Sequence, residues 1–263
     1  MTSDHSHAFE KGDIVPRTSR VISRIVTLAA MILSISFPPV ARATGQRRAF
    51  VFPPAAGPLG AAYGELAAQW WQWVLTAPTP PADGGASANP LMDMTGDACA
   101  VGQRGPIWFL AGTSADLGLP PKVTRNCTVP AGKILFFPVV NNAYFAFLTD
   151  PDRTIPFIRS MVTSVEKATG LFAEIDRVPV QNIARYLEMS SIFTVVLPAG
   201  NIFGLENNFV LSPSADEGYY LAVALPSPPP GEEAATHEIH FGAANDGRGN
   251  ELDVTYKITV KAL

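Results

Sequence analysis

The string THEIHF near the C-terminal end places two histidines and a glutamate within four residues. If this string is a β-strand, its side chains alternate between two faces, so Glu238 and His240 share one face and His237 lies on the other. The two histidines can then meet at one metal ion only across a bulge. Glu238 with His240 is a candidate acid and base for hydrolysis, and a solvated pair on an exposed strand is the alternative.

Two carboxylates, Asp93 and Asp97, lie just before Cys99 in a segment rich in turn-forming residues. Carboxylates held about 5 to 10 Å apart across a cleft are the groups that hydrolyse glycosidic bonds. Aspartate also stabilises tight turns, because its carboxylate accepts hydrogen bonds from nearby main-chain N–H groups. The pair is therefore a second candidate catalytic set, with loop stabilisation as the alternative.

Aromatic and amide side chains offer a binding chemistry that needs no catalytic group. Indole rings can stack on the faces of sugars, and amides can hydrogen-bond sugar hydroxyls. The candidates for such a binding surface are Trp70, Trp71, Trp73, Gln103, Trp108, Asn141 and Asn142. Burial of the indoles in the core and ordinary turn roles for the amides are the alternatives.

Cys99 and Cys127 are the only cysteines of the chain, and both follow a segment typical of exported proteins. An exported protein meets an oxidising compartment, so we predict a disulfide between them. Zinc is disfavoured, because the short C-x-x-C spacing is missing. We expect each cysteine to lie in a turn just before a strand, so that the bridge joins two strand entries.

Composition and missing motifs exclude several other classes of function. The chain carries 19 Lys and Arg against 23 Asp and Glu, a formal net charge of −4, which provides no cationic surface for a nucleic acid. It contains no P-loop, no G-x-G-x-x-G and no G-x-S-x-G. The oxygen-rich segment 245–253 lacks the spacing of a calcium loop. We expect no cofactor, no resident metal ion and no nucleic-acid partner.

The N-terminal segment has the pattern of a secretory signal peptide. Three arginines precede an apolar run from Ile25 to Phe37, and Ala41-Arg42-Ala43 follows. The run is shorter than the roughly 20 residues that a membrane-spanning helix needs. We predict a signal peptide over residues 1–43 and export by the general secretory route to the periplasm or the exterior. The mature chain would then have no transmembrane anchor, and an uncleaved anchor is the alternative.

Residues 44–263 form the rest of the chain and must position the candidate site residues. Their patterns predict mostly strands. Apolar residues recur at steps of three and four from Leu59 to about residue 77, which predicts a Trp-rich helix. A second helix is predicted over Phe157–Thr169, and a flexible connection over Pro78–Asn89. Strands are predicted to start at Ile107, Ile134, Ile192, Phe209, Tyr219, Thr236 and Leu252.

Turn signals between these strands favour antiparallel sheets. Two hairpins are predicted to close the chain, one through the Pro-rich loop after Tyr219 and one through Asn245-Asp246-Gly247. The last strand alternates apolar and polar residues, which is typical of a sheet with one buried face. The expected fold is a mainly β, antiparallel β-sandwich of the Ig-like or jelly-roll type.

Several strings resemble those of an uncharacterised family of exported bacterial proteins. They are NPLMDMTGDACAVGQRGPIWFLAGT, CTVPAGKILFFPVVNN, WWQWVL and THEIHF. The similarity extends from about Leu59 to the C-terminus. It implies export and a bacterial source, and it implies no activity, substrate or site residue.

The patterns favour an exported, soluble β-sandwich that binds a polysaccharide or another cell-surface component without catalysis. A secreted glycoside or ester hydrolase using the carboxylates or His240 is the first alternative. A structural envelope protein is the second. The oligomeric state is left open.

Overall fold

The computed structural model describes residues 48–79 and 89–263. The chain divides into two compact units, Met1–Gly45 and Gln46–Leu263, and all described residues belong to the second. The predicted signal peptide, and most of the predicted connection Pro78–Asn89, lie outside the described residues. Within them the protein is mainly β, with two sheets and few helices.

Two long antiparallel strands form the centre of the first sheet: β4 (Ile134–Phe145) and β9 (Val210–Ala224). The far edge of β9 pairs with three short strands, β1 (Phe50–Val51), β7 (Leu187–Met189) and β8 (Phe193–Val196). The far edge of β4 pairs only at its start, with β2 (Ile107–Phe109). Most of β4 therefore has a strand on one side only within the described residues.

Among the described residues, the second sheet has five strands. Their order across the sheet is β3 (Lys122–Pro130), β11 (Leu252–Lys261), β10 (Ala234–Ala243), β5 (Phe172–Ile175) and β6 (Val178–Pro179). Alternate residues of β11, from Val254 to Val260, are buried. Phe241 of this sheet packs on Phe137 of the first sheet, with ring centroids 4.6 Å apart. The two sheets thus share one hydrophobic core.

Helix α1 (Tyr63–Thr76) covers the outer face of the first sheet. Its apolar residues recur at helical spacing and are buried, and Tyr63 donates a 2.6 Å hydrogen bond to the carbonyl of Phe52. The shorter helix α2 (Ile155–Ser160) precedes a 3-10 turn, Thr163–Lys167. None of the described helices is both long and apolar enough to cross a membrane.

Arg125 on β3 is a charged side chain in the core, 1% exposed. Its guanidinium donates to the carbonyls of Asp93, Ala111 and Gly112 at 2.6, 2.9 and 2.8 Å. It also lies over the ring of Tyr256. These bonds tie two loops, the one before β2 and the one after it, to the second sheet.

The predicted disulfide between Cys99 and Cys127 is present. Its position corrects our expectation, because Cys127 lies inside β3 and not in a turn before a strand. The bridge therefore joins the loop before β2 to a strand of the second sheet.

Three further expectations about the strands are wrong. The pairs β2–β4 and β3–β11 are parallel, so the sheets are mixed and not purely antiparallel. The strands predicted at Phe209 and Tyr219 are one strand, β9. The Pro-rich loop forms no hairpin, because β9 and β10 belong to different sheets, whereas β10 and β11 do pair as predicted.

Candidate functional site

A cavity of about 140 Å³ lies beside the free edge of β4, and we call it the Trp71 cavity. Helix α1 contributes Trp70, Trp71 and Leu75 to its wall, and β4 contributes residues 138–143 and Phe145. Four loops and the first residue of β11 complete it, and these contribute Leu91, residues 112–117, Ile202, Phe203, Asp246, Arg248 and Leu252. The site is thus assembled from both sheets, the helix and the loops that Arg125 holds.

The free edge of β4 gives the cavity main-chain hydrogen-bonding groups. Leu110 donates to the carbonyl of Phe136 at 3.0 Å, and no strand pairs with this edge beyond that point in the described chain. Along an antiparallel pair, residues alternate between bonding the partner and pointing away from it. Asp216 lies opposite Ala143, and its main-chain N–H and C=O groups bond to Ser190 and not to Ala143. The main-chain groups of Ala143 therefore point to the free edge of β4. Asn141, two residues before, has the same orientation.

Aromatic rings form a second wall of the cavity. Trp71 packs edge to face on Phe145, with ring centroids 5.1 Å apart, and Phe145 lies 5.9 Å from Phe203. Phe203 is 39% exposed and stands at the cavity rim. Apolar ring surface and polar main-chain groups therefore face the same small space.

Behind this wall lies a chain of buried hydrogen bonds that begins at Asn141. The Asn141 amide nitrogen donates to the Tyr220 hydroxyl at 3.0 Å, and that hydroxyl donates to Asp216 Oδ1 at 2.7 Å. Tyr220 and Asp216 have no exposed surface. They lie four residues apart on β9, on the face that α1 covers.

Burial shapes the titration of this cluster. Loss of solvation raises the pKa of Asp216 to about 7, although the hydrogen bond from Tyr220 and the nearby Trp71 and Asn141 side chains oppose the shift. Burial and the neighbouring carboxylate also raise the pKa of Tyr220 well above its usual value. Asp216 is therefore a carboxyl group that titrates close to neutral pH inside the core.

A charged rim closes another side of the cavity. Arg248 donates to Asp116 at 2.6 Å and to Asp246 at 3.3 Å. Burial disfavours ionisation of Asp246, but hydrogen bonds from Asn250 and from the main-chain N–H groups of Asn250 and Arg248 outweigh it and lower its pKa. The rim therefore offers a guanidinium and two carboxylates, which are strong hydrogen-bonding groups.

The structure brings four of the seven predicted binding residues to this cavity: Trp70, Trp71, Asn141 and Asn142. Trp70 belongs mainly to the core, because it is 2% exposed and its indole N–H donates to the carbonyl of Leu110. The Asn142 amide nitrogen donates to Ser164 Oγ at 2.9 Å. Trp71 and Asn141 are thus the predicted residues best placed to contact a ligand.

The other three predicted binding residues have structural roles away from the cavity. Trp73 is buried and donates to the carbonyl of Val101 at 2.8 Å. Gln103 bridges Cys99 and Phe109 through three hydrogen bonds. Trp108 is buried in β2. These three residues therefore do not line the Trp71 cavity.

Asp93 and Asp97 stabilise their loop, as the alternative to catalysis requires. Asp93 accepts from the N–H groups of Thr95 and Ala98, and Thr95 Oγ1 donates to either carboxylate at 2.8 Å. Burial alone would raise the pKa of Asp93, but these bonds lower it. The two carboxylates lie on one loop with a threonine hydroxyl between them, not across a cleft.

Glu238 and His240 lie on the outer face of the second sheet. His240 Nε2 is 2.8 Å from Asp253, and Glu238 pairs in register with Lys257. Asp97 and Glu238 both border a broad groove of about 870 Å³ on this face, whereas Asp93 and His240 do not. The four catalytic candidates do not converge on one site.

Sequence reasoning missed Tyr220, Asp216, Phe203, Asp116 and Arg248. Asp216 and Tyr220 stand in an apolar strand segment, SADEGYYLAVA, where an aspartate suggests a strand end. Their spacing of four places them on one face of a strand, which is a usable signal once the strand is known. The other three lie in loops, and nothing local marks them as neighbours.

Comparison with known proteins adds little to this description. The chain matches no protein-family model and no curated protein. One solved structure, described as "Structure of PbICP-C in complex with falcipain-2", aligns over 60% of this chain and 100% of that chain, with 9% identity and a TM-score of 0.22. A TM-score this low does not demonstrate a shared fold.

Proposed function

We propose that this chain is an exported β-sandwich module that binds a glycan without transforming it. One pyranose ring of the glycan occupies the Trp71 cavity. The observation that carries the proposal is that the Trp71 and Phe145 rings and the unpaired edge of β4 line one small cavity.

The size of the cavity suits a single ring. A protein cavity of about 150 Å³ accommodates benzene, and the Trp71 cavity has about 140 Å³. Pockets for whole drug-sized ligands are larger, about 300 Å³ or more. The cavity therefore fits one residue of a longer chain, with the rest of that chain outside.

Its chemistry also suits a sugar. A pyranose has apolar C–H faces and a girdle of hydroxyls that both donate and accept hydrogen bonds. Trp71 and Phe203 supply apolar contact, while Asn141, the β4 main chain and Arg248 supply polar partners. A purely apolar ligand would leave those polar groups unsatisfied.

A binding role is favoured over hydrolysis by the placement of the acidic residues. The carboxylates on the rim, Asp116 and Asp246, are both engaged by Arg248. Asp93 and Asp97 are engaged by Thr95. Neither pair has the open gap for a sugar and a water that glycoside hydrolysis requires.

The test is a glycan array probed with the purified chain, followed by titration of the bound glycan. We expect Trp71→Ala and Phe203→Ala to weaken binding at least tenfold. Phe50→Ala is the matched control, because Phe50 is an exposed aromatic residue on β1 outside the cavity, and we expect it to leave binding unchanged.

Two outcomes would overturn the proposal. One is that no glycan binds, or that both cavity variants bind as the unmodified chain does. The other is release of new reducing ends from the bound glycan, which would replace binding by hydrolysis.

A further inference from the structure

We propose that Tyr220 and Asp216 lock the Asn141 amide so that its oxygen faces the Trp71 cavity, and that the site therefore selects ligands that donate a hydrogen bond at this point. The ligand class is a pyranose with a free hydroxyl, in preference to the methyl ether at the same position. This inference rests on the proposed function and assigns its specificity to a buried chain of hydrogen bonds.

The direction of that chain follows from the number of protons on each group. The Tyr220 hydroxyl has one proton, and it donates that proton to Asp216 Oδ1 at 2.7 Å. The hydroxyl oxygen can then only accept from Asn141, 3.0 Å away. The amide nitrogen of Asn141 must therefore point to Tyr220, and its oxygen points the other way.

The remaining side of Asn141 faces the cavity. Asn141 lines the cavity wall, and its Oδ1 accepts no hydrogen bond from the described residues. That oxygen is also not among the buried side-chain atoms left unpaired in the described chain, so it is accessible from the cavity. An accessible, unpaired acceptor with a fixed direction is a point of recognition.

A fixed acceptor discriminates sharply between ligands. A hydroxyl at this point donates to Oδ1, whereas an ether oxygen brings two acceptors face to face and leaves both unsatisfied. Sites built to bond a ligand hydroxyl reject analogues that lack it far more strongly than apolar pockets reject a size change. A missing bond of this kind costs tenfold or more in affinity.

Tyr220 and Asp216 act through Asn141 and are positioning residues. If Tyr220 loses its hydroxyl, the amide is free to turn. The nitrogen can then donate to an ether oxygen, so the methyl ether becomes acceptable. Loss of Tyr220 should therefore change the preference between the two ligands more than the affinity for the hydroxyl form.

The experiment uses methyl pyranosides of glucose, galactose, mannose and N-acetylglucosamine, each with its set of monomethyl ethers. Affinities are measured by calorimetry at pH 8.5, where Asp216 is ionised. For the pyranoside that binds, we expect one ether position to weaken binding tenfold or more in the unmodified chain. In Tyr220→Phe we expect the ratio of the two affinities, that of the hydroxyl form over that of the methyl ether, to fall below threefold.

A second variant and a second readout test the proposal even if the Tyr220→Phe chain does not fold. Asn141→Leu removes the acceptor directly and should also lower the ratio below threefold. In the unmodified chain without ligand, nuclear magnetic resonance should show one Asn141 amide proton exchanging slowly with water, because Tyr220 accepts it.

The outcomes separate the two proposals. If a pyranoside binds but no methyl ether weakens its binding more than threefold, the specificity inference is overturned and the proposed function stays intact. A ratio that survives in both variants overturns the role of Asn141 and Tyr220. Rapid exchange of both Asn141 amide protons overturns the lock itself. If the array finds a bound glycan but none of these pyranosides binds, the ligand class named here fails and the proposed function stands. If the array finds no glycan either, the proposed function fails as well.

Discussion

At the scale of single residues, Asp216 is the most unusual group in the described chain. It has no exposed surface, and its pKa is raised to about 7 chiefly because burial disfavours the charged form. Tyr220 donates to it, and Trp71 lies close enough to favour its ionised form. The residue that orients Asn141 is therefore also a source of pH-dependent stability.

The sign of that dependence follows from linkage. Between the ordinary aspartate value of about 4 and the folded value of about 7, the folded chain holds a proton that the unfolded chain has released. The free energy of unfolding should therefore fall as pH rises through this window, by at most roughly 4 kcal/mol. Asp216→Asn should remove this fall, measured by urea denaturation from pH 5 to pH 8.5.

Asp152→Asn is the control for that series. Hydrogen bonds from Thr154 lower the pKa of the half-buried Asp152, so its ionisation affects stability only in acid. We expect its slope between pH 5 and pH 8.5 to match that of the unmodified chain. An Asp216→Asn variant with the original slope would contradict the assignment.

At the scale of elements, β3 connects the loops of the cavity to the second sheet. Val123, Arg125, Cys127 and Val129 face inward on this strand, and Arg125 holds the carbonyls of Asp93 and Gly112. Gly112 belongs to the cavity wall. The geometry of the cavity thus depends on a buried guanidinium outside it.

Arg125→Met should lower the free energy of unfolding by roughly 3 kcal/mol or more, because several buried carbonyls would lose their donor. Lys122→Met on the same strand is the control. The Lys122 side chain is 65% exposed and forms ion pairs with Glu251 and Asp253, so we expect a change within about 0.5 kcal/mol. Urea denaturation measures both variants, and equal losses in the two would contradict the role given to Arg125.

At the scale of the whole molecule, the disulfide and Arg125 fasten the same region. Cys99 and Cys127 are 28 residues apart, and the bridge ties the loop before β2 to the second sheet. β2 itself pairs with the first sheet. The bridge therefore limits how far the segment between the two sheets can open.

Reduction of this bridge should cost about 3.5 kcal/mol in the chain-entropy model, given the 28-residue separation. For a chain of this size that corresponds to a fall of roughly 10 °C in Tm. Thermal denaturation with and without reductant measures the fall, and thiol titration of the denatured, non-reduced chain should find no free cysteine. An unchanged Tm after complete reduction would contradict the entropic contribution.

Local patterns in the sequence were enough to predict several elements and one covalent link. Apolar spacing predicted a helix over residues 59–77, and the structure has α1 over Tyr63–Thr76. Period-two alternation predicted the last strand, and the structure has β11. The disulfide was predicted from the two cysteines of the chain and a predicted export signal. Each of these depends on neighbours in sequence or on residue counts.

Only the tertiary structure decided the site. The sequence of β3 did not predict a strand with one buried face, because the charged Arg125 occupies an inward position. Carbonyls from loops distant in sequence accept its hydrogen bonds and so compensate for its burial. The sequence left open whether Trp70, Trp71 and Trp73 bind a ligand or pack in the core, and only the packing of α1 placed Trp71 in the cavity wall while it buried Trp73. Asn141 meets Tyr220 across two strands, 79 residues apart in sequence, and no local rule encodes that register. The functional residues are neighbours only because the sheets and loops fold around the free edge of β4.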